Sequence, residues 1–289
     1  MKVILSPNPY RDLGLRAAQS ALKILQNSGV ETAVCLPFTP EGQPPRADMP
    51  AGIKLTPLAE ELPGADVLIC FGGDGTILHA AKSANPFQIP VLGVNMGSVG
   101  FMAELEHSEM SLLGRLASGK YQVESRMMLQ VEVRREGKVI FSDTALNDAV
   151  LTKGAVARVL PLEITGDRVP IYSYAGDGVV VSTPTGSTAY SMAAGGPIVE
   201  PSAKNIIVTP ICAHAIRVKP IILDHDRAVG VRLEKGSRRS AYLSVDGGRA
   251  FRILAGDRVE VRRAREVTRL VKLTGRSFYE LIYQKLAKG

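Results

Sequence analysis

The chain has 289 residues, 45% of them hydrophobic, and carries 35 Lys and Arg against 28 Asp and Glu for a formal net charge of +7. Its length is near the size at which a single core stops growing, so two domains are expected. No stretch approaches the roughly 18 uninterrupted apolar residues of a membrane span. Met1-Lys2-Val3-Ile4-Leu5 runs into a Ser-Pro-Asn-Pro turn rather than a signal-peptide apolar region, which predicts a cytoplasmic protein with no membrane partner. The positive charge calls for an anionic partner, a nucleic acid or small polyanions such as nucleotides. The densest basic cluster, Arg258 to Glu266, alternates with apolar residues and acids as the solvated face of a strand does. Aromatics are only 5% of the chain and zinc-finger spacing is absent, so nucleic acid is not expected. Cys35, Cys70 and Cys212 each sit in an apolar run without C-x-x-C spacing and read as reduced core thiols.

Up to about residue 120 strands alternate with helices. Residues 2–5 read as a strand. Leu15, Ala18, Leu22 and Leu25 then form one helical face that Gly29 ends. Residues 31–36 make a second strand, followed by a Pro-rich polar loop over 37–57 that is a candidate to close over a ligand. The apolar run 65–71 is a third strand. Ile77 to Lys82 opens a helix, 90–94 is a fourth strand, and Ser108 is placed to cap a helix over 109–117 that Gly119 stops. Such alternation predicts an α/β domain over 1–120, doubly wound and Rossmann-like, whose ligands lie beyond the carboxyl ends of the strands.

From about Tyr121 the period changes to two. Leu129, Val131 and Val133 alternate with polar residues, and Glu136-Gly137 turns this strand back into 139–141. Short strands follow at 162–164, 179–181, 206–208, 221–223, 229–233, 241–245 and 258–261, predicting a mainly β domain over 121–275. Phe278, Leu281, Ile282 and Leu286 give residues 277–288 a helical apolar stripe, so 276–289 is expected to be a C-terminal helix docking back.

Two loops carry chemistry. Gly72-Gly73-Asp74-Gly75-Thr76 follows the third strand directly. Glycines let a main chain approach a phosphate or ribose, and Asp74 offers an acceptor for a hydroxyl proton; equally, the segment reads as a tight strand-to-helix connection with Asp74 as N-cap. The second loop runs from Asp177-Gly178 through Thr183-Pro184-Thr185-Gly186-Ser187-Thr188-Ala189-Tyr190-Ser191. Its hydroxyls and N–H groups suit a polar ligand, or a cluster of Ser/Thr turns between a strand and a helix. His107, His214 and His225 have no paired ligand spacing, so no structural metal is expected.

Taken in order, Gly72-Gly73-Asp74-Gly75-Thr76, Asn95-Met96-Gly97-Ser98-Val99-Gly100-Phe101, Leu146-Asn147-Asp148-Ala149-Val150, the Asp177 to Tyr190 loop and Ser244-Val245-Asp246-Gly247 resemble the NAD kinases of the bacterial type over nearly the whole chain. The first motif is shared with phosphofructokinases and diacylglycerol-type lipid kinases. Its combination with the Thr-Pro-Thr-Gly-Ser-Thr-Ala-Tyr block is specific.

The resemblance implies an NAD⁺ kinase using ATP, or another donor such as polyphosphate, to phosphorylate the adenosine 2′-hydroxyl and give NADP⁺ in NADP biosynthesis. It implies Asp74 as the catalytic carboxylate, with Gly72, Gly73 and Gly75 admitting phosphates. A divalent metal, Mg²⁺, is expected to screen them, because glycine amides bring no positive charge and no Walker-type lysine is present. Asn147 and Asp148 would hold adenine and ribose, Asp148 standing where Glu is usual. Asp177 would face the nicotinamide end, and Thr185, Thr188, Ala189, Tyr190, Ser191 and Asp246 would line the dinucleotide pocket. His79 is either ligand-facing or an exposed first-turn histidine. Arg158 contacts a ligand or a neighbouring subunit, or is simply solvated. Ala175 and Gly248 replace polar residues of relatives. A homodimer or homotetramer is a family expectation. A lipid or sphingoid kinase sharing the first loop and a non-catalytic dinucleotide sensor are the competing readings.

Overall fold

The computed structural model describes residues 1–37, 53–97, 100–154, 158–215, 217–234 and 239–286. Most of the expected 37–57 loop, together with Ser98 and Val99 of the second motif and the end of the C-terminal stripe, lies outside the described residues. The chain forms two compact units, Met1–Ser125 with Thr268–Gly289, and Arg126–Val267.

In the first unit the chain order is β1 (Lys2–Pro7), α1 (Arg16–Asn27), β2 (Glu31–Val34), α2 (Leu58–Glu61), β3 (Val67–Gly72), α3 (Asp74–Ala84), β4 (Val91–Asn95), β5 (Leu105–Glu106) and α4 (Gly114–Ala117). The sheet runs β4-β3-β1-β2, all parallel, with β5 parallel beside β4. Every residue of β3 and β4 is buried, which is what a parallel sheet covered on both faces demands and why these strands read as continuous apolar runs. On α1, Ala17, Ala18, Ala21 and Leu25 are buried at helical spacing. Leu22 of the expected face is only half-buried. The helix starts on buried Asp12, whose carboxylate accepts the Ala17 and Ala18 N–H groups at 2.9 Å each. Gly29, at φ +75°, ends it as expected.

Two local readings are corrected. The helix read as opening at Ile77 opens at Asp74 itself. Ser108 is not the cap of the following helical stretch: Glu106 is, in a reciprocal capping box with Glu109, whose carboxylate accepts the Glu106 N–H at 2.9 Å.

In the second unit follow β6 (Gln122–Arg135), β7 (Lys138–Ala145), β8 (Asp148–Lys153), β9 (Leu160–Gly166), β10 (Val169–Gly176), β11 (Gly178–Ser182), α5 (Tyr190–Ala193), β12 (Asn205–Ile211), β13 (Ile221–Asp224), β14 (Val229–Leu233), β15 (Ala241–Val245), β16 (Phe251–Ile253) and β17 (Arg258–Lys272). One sheet is β13-β12-β11-β8-β15-β16; the other holds β10-β9-β14-β17. Their inner faces meet in one core that includes Leu129, Val131, Ile164, Val231 and Val261 together with Val179, Val208 and Leu243. The Glu136-Gly137 turn has φ of +51° and +80°, the primed geometry that suits a tight hairpin.

Strand β10 is not among the expected strands; it carries Pro170 and is the sheet's edge, where a proline is tolerated. Strand β17 extends eleven residues beyond the expected 261, because its alternation slips where Arg262 and Arg263 are both exposed. Its far end, Leu270 paired with Val91, belongs to the first unit's sheet. Cys35 and Cys70 are buried thiols, but Cys212 is exposed: it follows the end of β12, where the chain turns through φ +45°.

The C-terminal helix α6 (Phe278–Leu286) has no fully buried residue, and Tyr279 and Tyr283 are 68% and 69% exposed. Its apolar stripe is thus half-covered rather than docked into a core. What holds the segment is polar. Buried Glu104 accepts the Leu273 N–H at 2.7 Å, the Thr274 N–H at 2.6 Å and the Thr274 hydroxyl at 2.7 Å, and pairs with Lys272 at 2.5 Å. Burial pushes this carboxyl up, but the Lys272 and Thr274 contacts outweigh it and hold it below its ordinary value. Its contribution is therefore present above the unfolded value of roughly 4.3 and is lost as pH falls through the lower folded value. Glu104→Gln is expected to lower the thermal midpoint at pH 7, with the gap to the parent closing as the pH is taken below about 4; a pH series of thermal melts checks it.

Candidate active site

The carboxyl end of β3 delivers Gly72, and α3 starts two residues later. The N-cap position belongs to Gly73, so Asp74 is not the cap but the first helical residue. Its side chain turns away from its own helix. Oδ2 accepts the Phe101 N–H at 2.9 Å and Oδ1 the Met102 N–H at 3.2 Å. A carboxylate has about four lone-pair sites, so two remain for an outside donor. The approach is close enough that a Cβ on Gly100 would overlap the Asp74 carboxylate. Around it, Asn95 at the end of β4 accepts the Gly97 N–H at 3.1 Å and donates to Glu106 at 2.9 Å, and Asn8 after β1 donates to the Thr76 hydroxyl at 3.1 Å. These are the ends of β1, β3 and β4 where doubly wound sheets bind ligands. Gly72 abuts Thr76, whereas Gly73 and Gly75 face open space. His79 is exposed one turn further along α3.

The second unit builds its own cluster. Asp246, in a turn at φ +47°, accepts three consecutive backbone N–H groups: Leu146 at 2.7 Å, Asn147 at 2.8 Å and Asp148 at 3.0 Å. The Thr183 hydroxyl donates to the Leu146 carbonyl at 2.5 Å, and the Thr183 N–H donates to the Asn147 carbonyl at 2.9 Å. A Cβ on Gly186 would overlap that carbonyl. The hydroxyl-rich loop and the Asn147-Asp148 corner are therefore one interlocked piece. Asn147 is only 8% exposed, and its buried Oδ1 has no hydrogen-bond partner among the described residues. Asp148 is 6% exposed; burial, then the Asp246 charge, pushes its carboxyl up to about 7. An orphaned acceptor and a carboxyl poised near neutrality are what a base edge and a ribose hydroxyl would satisfy.

The remaining candidates divide. Thr185 is buried and receives a long, 3.5 Å hydrogen bond from Arg126, a buried arginine that sequence reading passed over because it stands inside an alternating strand. The Thr188 hydroxyl donates to the Thr185 carbonyl at 3.3 Å, Ala189 is half-buried, and Tyr190 is exposed. Ser191 does not line an open surface: it is fully buried with its hydroxyl 2.9 Å from that of Thr209. Asp177 pairs with Lys153 at 2.6 Å. Arg158 is exposed. Among the described residues, one group of three side chains has metal-ligand spacing, Asp224, His225 and Asp226, on the surface after β13; Asp226 also lies 3.8 Å from Arg263.

In the first unit a carboxylate at the glycine turn of a doubly wound sheet suits phosphoryl transfer, and in the second a buried amide-and-carboxyl corner of a β sandwich suits a nucleotide. Residues 39–121 match the family model of the ATP-NAD kinase N-terminal domain and 146–273 that of the C-terminal domain. The NAD kinase of Symbiobacterium thermophilum is 39% identical over 287 residues, 99% of each chain, and that of Natranaerobius thermophilus 37% over 286 residues, 99% of this chain and 97% of the relative. Yeast NADH kinase, solved with NADH, superimposes with a TM-score of 0.85 at 26% identity, covering 99% of this chain and 87% of that one. An Archaeoglobus fulgidus NAD kinase solved with ATP shares the fold over the full length of both chains, with a TM-score of 0.74 at 24% identity. The chain belongs to the ATP-NAD kinase family.

Gly100→Ala is expected to displace the Asp74 carboxylate. For the catalytic role that the family resemblance implies for Asp74, turnover should fall about 10²-fold while NAD affinity stays within about twofold; steady-state kinetics and calorimetry on the same preparation check it.

Proposed function

We propose that the chain transfers the γ-phosphoryl group of ATP to the 2′-hydroxyl of the adenosine ribose of NAD⁺, giving NADP⁺. The observation that carries this reading is the corner built by Asp246, which presents the unpartnered Asn147 amide oxygen beside the Asp148 carboxyl. Asn147 accepts from the adenine amino group and Asp148 from a ribose hydroxyl. Asp246 touches no ligand in this scheme and is a positioning residue. Thr185, Thr188, Ala189 and Tyr190 line the dinucleotide pocket, and Asp177 faces its nicotinamide end. Asp74 orients the 2′-hydroxyl and takes its proton as the oxygen–phosphorus bond forms and the bond to ADP breaks. Carboxylates are weak bases, so positioning and charge neutralisation supply most of the acceleration.

Magnesium fits as a passenger on the ATP phosphates. Mg²⁺ keeps several waters and needs only one or two carboxylates besides the phosphates, and the glycine turn offers a single carboxylate with room beside Gly73 and Gly75. When bound it would neutralise phosphate charge. Polyphosphate is an alternative donor of the same chemistry. Among the described residues no helix is long and apolar enough to cross a membrane, which fits NADP⁺ production in the cytoplasm. A homodimer or homotetramer draws support from the exposed Val139 and Ile140 on β7 and Val169 on the edge strand β10.

Enzyme mixed with NAD⁺, ATP and Mg²⁺ should produce NADP⁺, with turnover reduced about 10³-fold or more in Asp74→Asn, the scale of losing a group that acts on the reacting atoms. Equal product from both proteins overturns the role of Asp74. Asp148 adds a pH signature. Its folded value lies above the unfolded ~4, so stability relative to alkaline pH is fully present below about 4 and is lost as pH rises through about 7. Only the ionised form accepts a ribose hydroxyl with full strength. NAD affinity should therefore tighten from pH 6 to pH 8 in the parent and stay flat in Asp148→Asn, which should also be the more thermostable of the two at pH 8.

A further inference from the structure

Phosphoryl transfer needs positive charge at the transferring group, and the elements around Asp74 bring little. There is no Lys or Arg between residues 72 and 81, nor between 91 and 106. Arg11 comes near, its guanidinium 4.0 Å from where a Gly97 Cβ would stand, but it is exposed. The C-terminal helix supplies a further cation. The Lys285 ammonium sits 4.0 Å from the centre of the Phe101 ring, and Phe101 is the residue whose N–H holds Asp74.

The helix is built to carry it there. Its entry is fixed by the Glu104 contacts, by Arg276 on Glu109, and by a capping pair in which Glu280 accepts the Ser277 N–H at 2.7 Å while its own N–H donates to the Ser277 hydroxyl at 3.2 Å. Beyond that entry no residue of α6 is fully buried, and Lys285 is seated on the Phe101 ring.

Resting on the NAD kinase reading above, we propose that Lys285 is a further catalytic residue, whose ammonium leaves or shares the Phe101 ring to contact the γ-phosphoryl group of ATP beside Asp74. Among the described residues, the carboxylates of Asp74 and Glu106 are the charges that act on it; burial holds its proton affinity below the ordinary value and the two acids oppose that only in part. A partly desolvated point charge of this kind gains more from a phosphate than one in bulk water does. It stands in for the lysine that a Walker-type loop provides and this glycine turn lacks.

The test compares the parent with Lys285→Met, Lys285→Arg and Phe101→Leu, the last keeping the N–H on Asp74 while removing the ring. Lys285→Met is expected to lose about 10²-fold in kcat, the scale of removing one charge-stabilising donor, and about tenfold in Mg-ATP affinity by calorimetry. NAD affinity and thermal midpoint should hold. Lys285→Arg should recover to within about tenfold of the parent, and Phe101→Leu should lose less than Lys285→Met. A folded Lys285→Met with parental kcat and parental Mg-ATP affinity overturns the proposal and leaves the NAD kinase reading intact. A parent that makes no NADP⁺ overturns that reading instead, and the Mg-ATP affinities still judge Lys285.

Discussion

One carboxylate accepting three successive backbone N–H groups organises the Asn147-Asp148 corner of this protein. Asp246 lies about a hundred residues beyond Leu146, Asn147 and Asp148, and it reaches them because β15 and β8 are paired neighbours, with Val245 opposite Ala149. Bonds to a charged acceptor are among the stronger hydrogen bonds, and here they fix the backbone from which two side chains project. Consequences follow outward. Because the corner is fixed, Thr183 and Gly186 can pack against its carbonyls; because that packing excludes water, the Asn147 oxygen is orphaned and the Asp148 carboxyl is driven up. The same acid thus supports the corner by hydrogen bonding and perturbs it by charge.

Asp74 uses the same device at smaller scale. Two N–H groups rather than three hold it, so it is oriented without being used up. The contrast separates the two aspartates by how much of each carboxylate the backbone occupies. A carboxylate covered by three amides behind a tight turn shapes a site, whereas one with half its lone pairs free and open space beside it can act on a substrate. A motif search sees the same Asp-Gly pair in both places. Only the count of backbone partners tells them apart.

Much of the fold was legible because burial on both faces writes itself as apolar runs. Val67–Gly72 and Val91–Asn95 are buried throughout and could be read directly. The readings that failed did so where a local signal was outweighed by something distant in sequence. Residues 169–176 were not among the expected strands, and β10, which carries Pro170, is an edge strand, where a proline is tolerated. Ser108 looked like the cap, but the reciprocal Glu106 and Glu109 pair wins because it satisfies two backbone donors at once. Cys212 stood in an apolar run that ends one residue before it. Of the candidate site, Asn147, Asp148 and the hydroxyl loop stand in motifs visible in the sequence, and the structure interlocks them in one piece. Arg126 was not legible, since a buried cation in a strand leaves no pattern, and the Ser191 hydroxyl turned out to bond inward to Thr209.

The C-terminal helix shows how an apolar stripe can mislead about what holds a segment in place. Phe278, Leu281 and Ile282 are half-covered, yet the fixed contacts lie before them, in Glu104, Arg276 and the Ser277–Glu280 pair. A helix held by its entry and seated lightly along its length costs little to shift at its far end. That is a useful property for a cation whose partner is a ligand rather than a protein group. A lysine locked in a tight ion pair would have to break it before meeting a phosphate, whereas one resting on an aromatic ring gives up only a weak interaction. The glycine turn and the helix then divide the work between them: one keeps the reaction space clear of side chains, and the other brings the charge that clear space lacks.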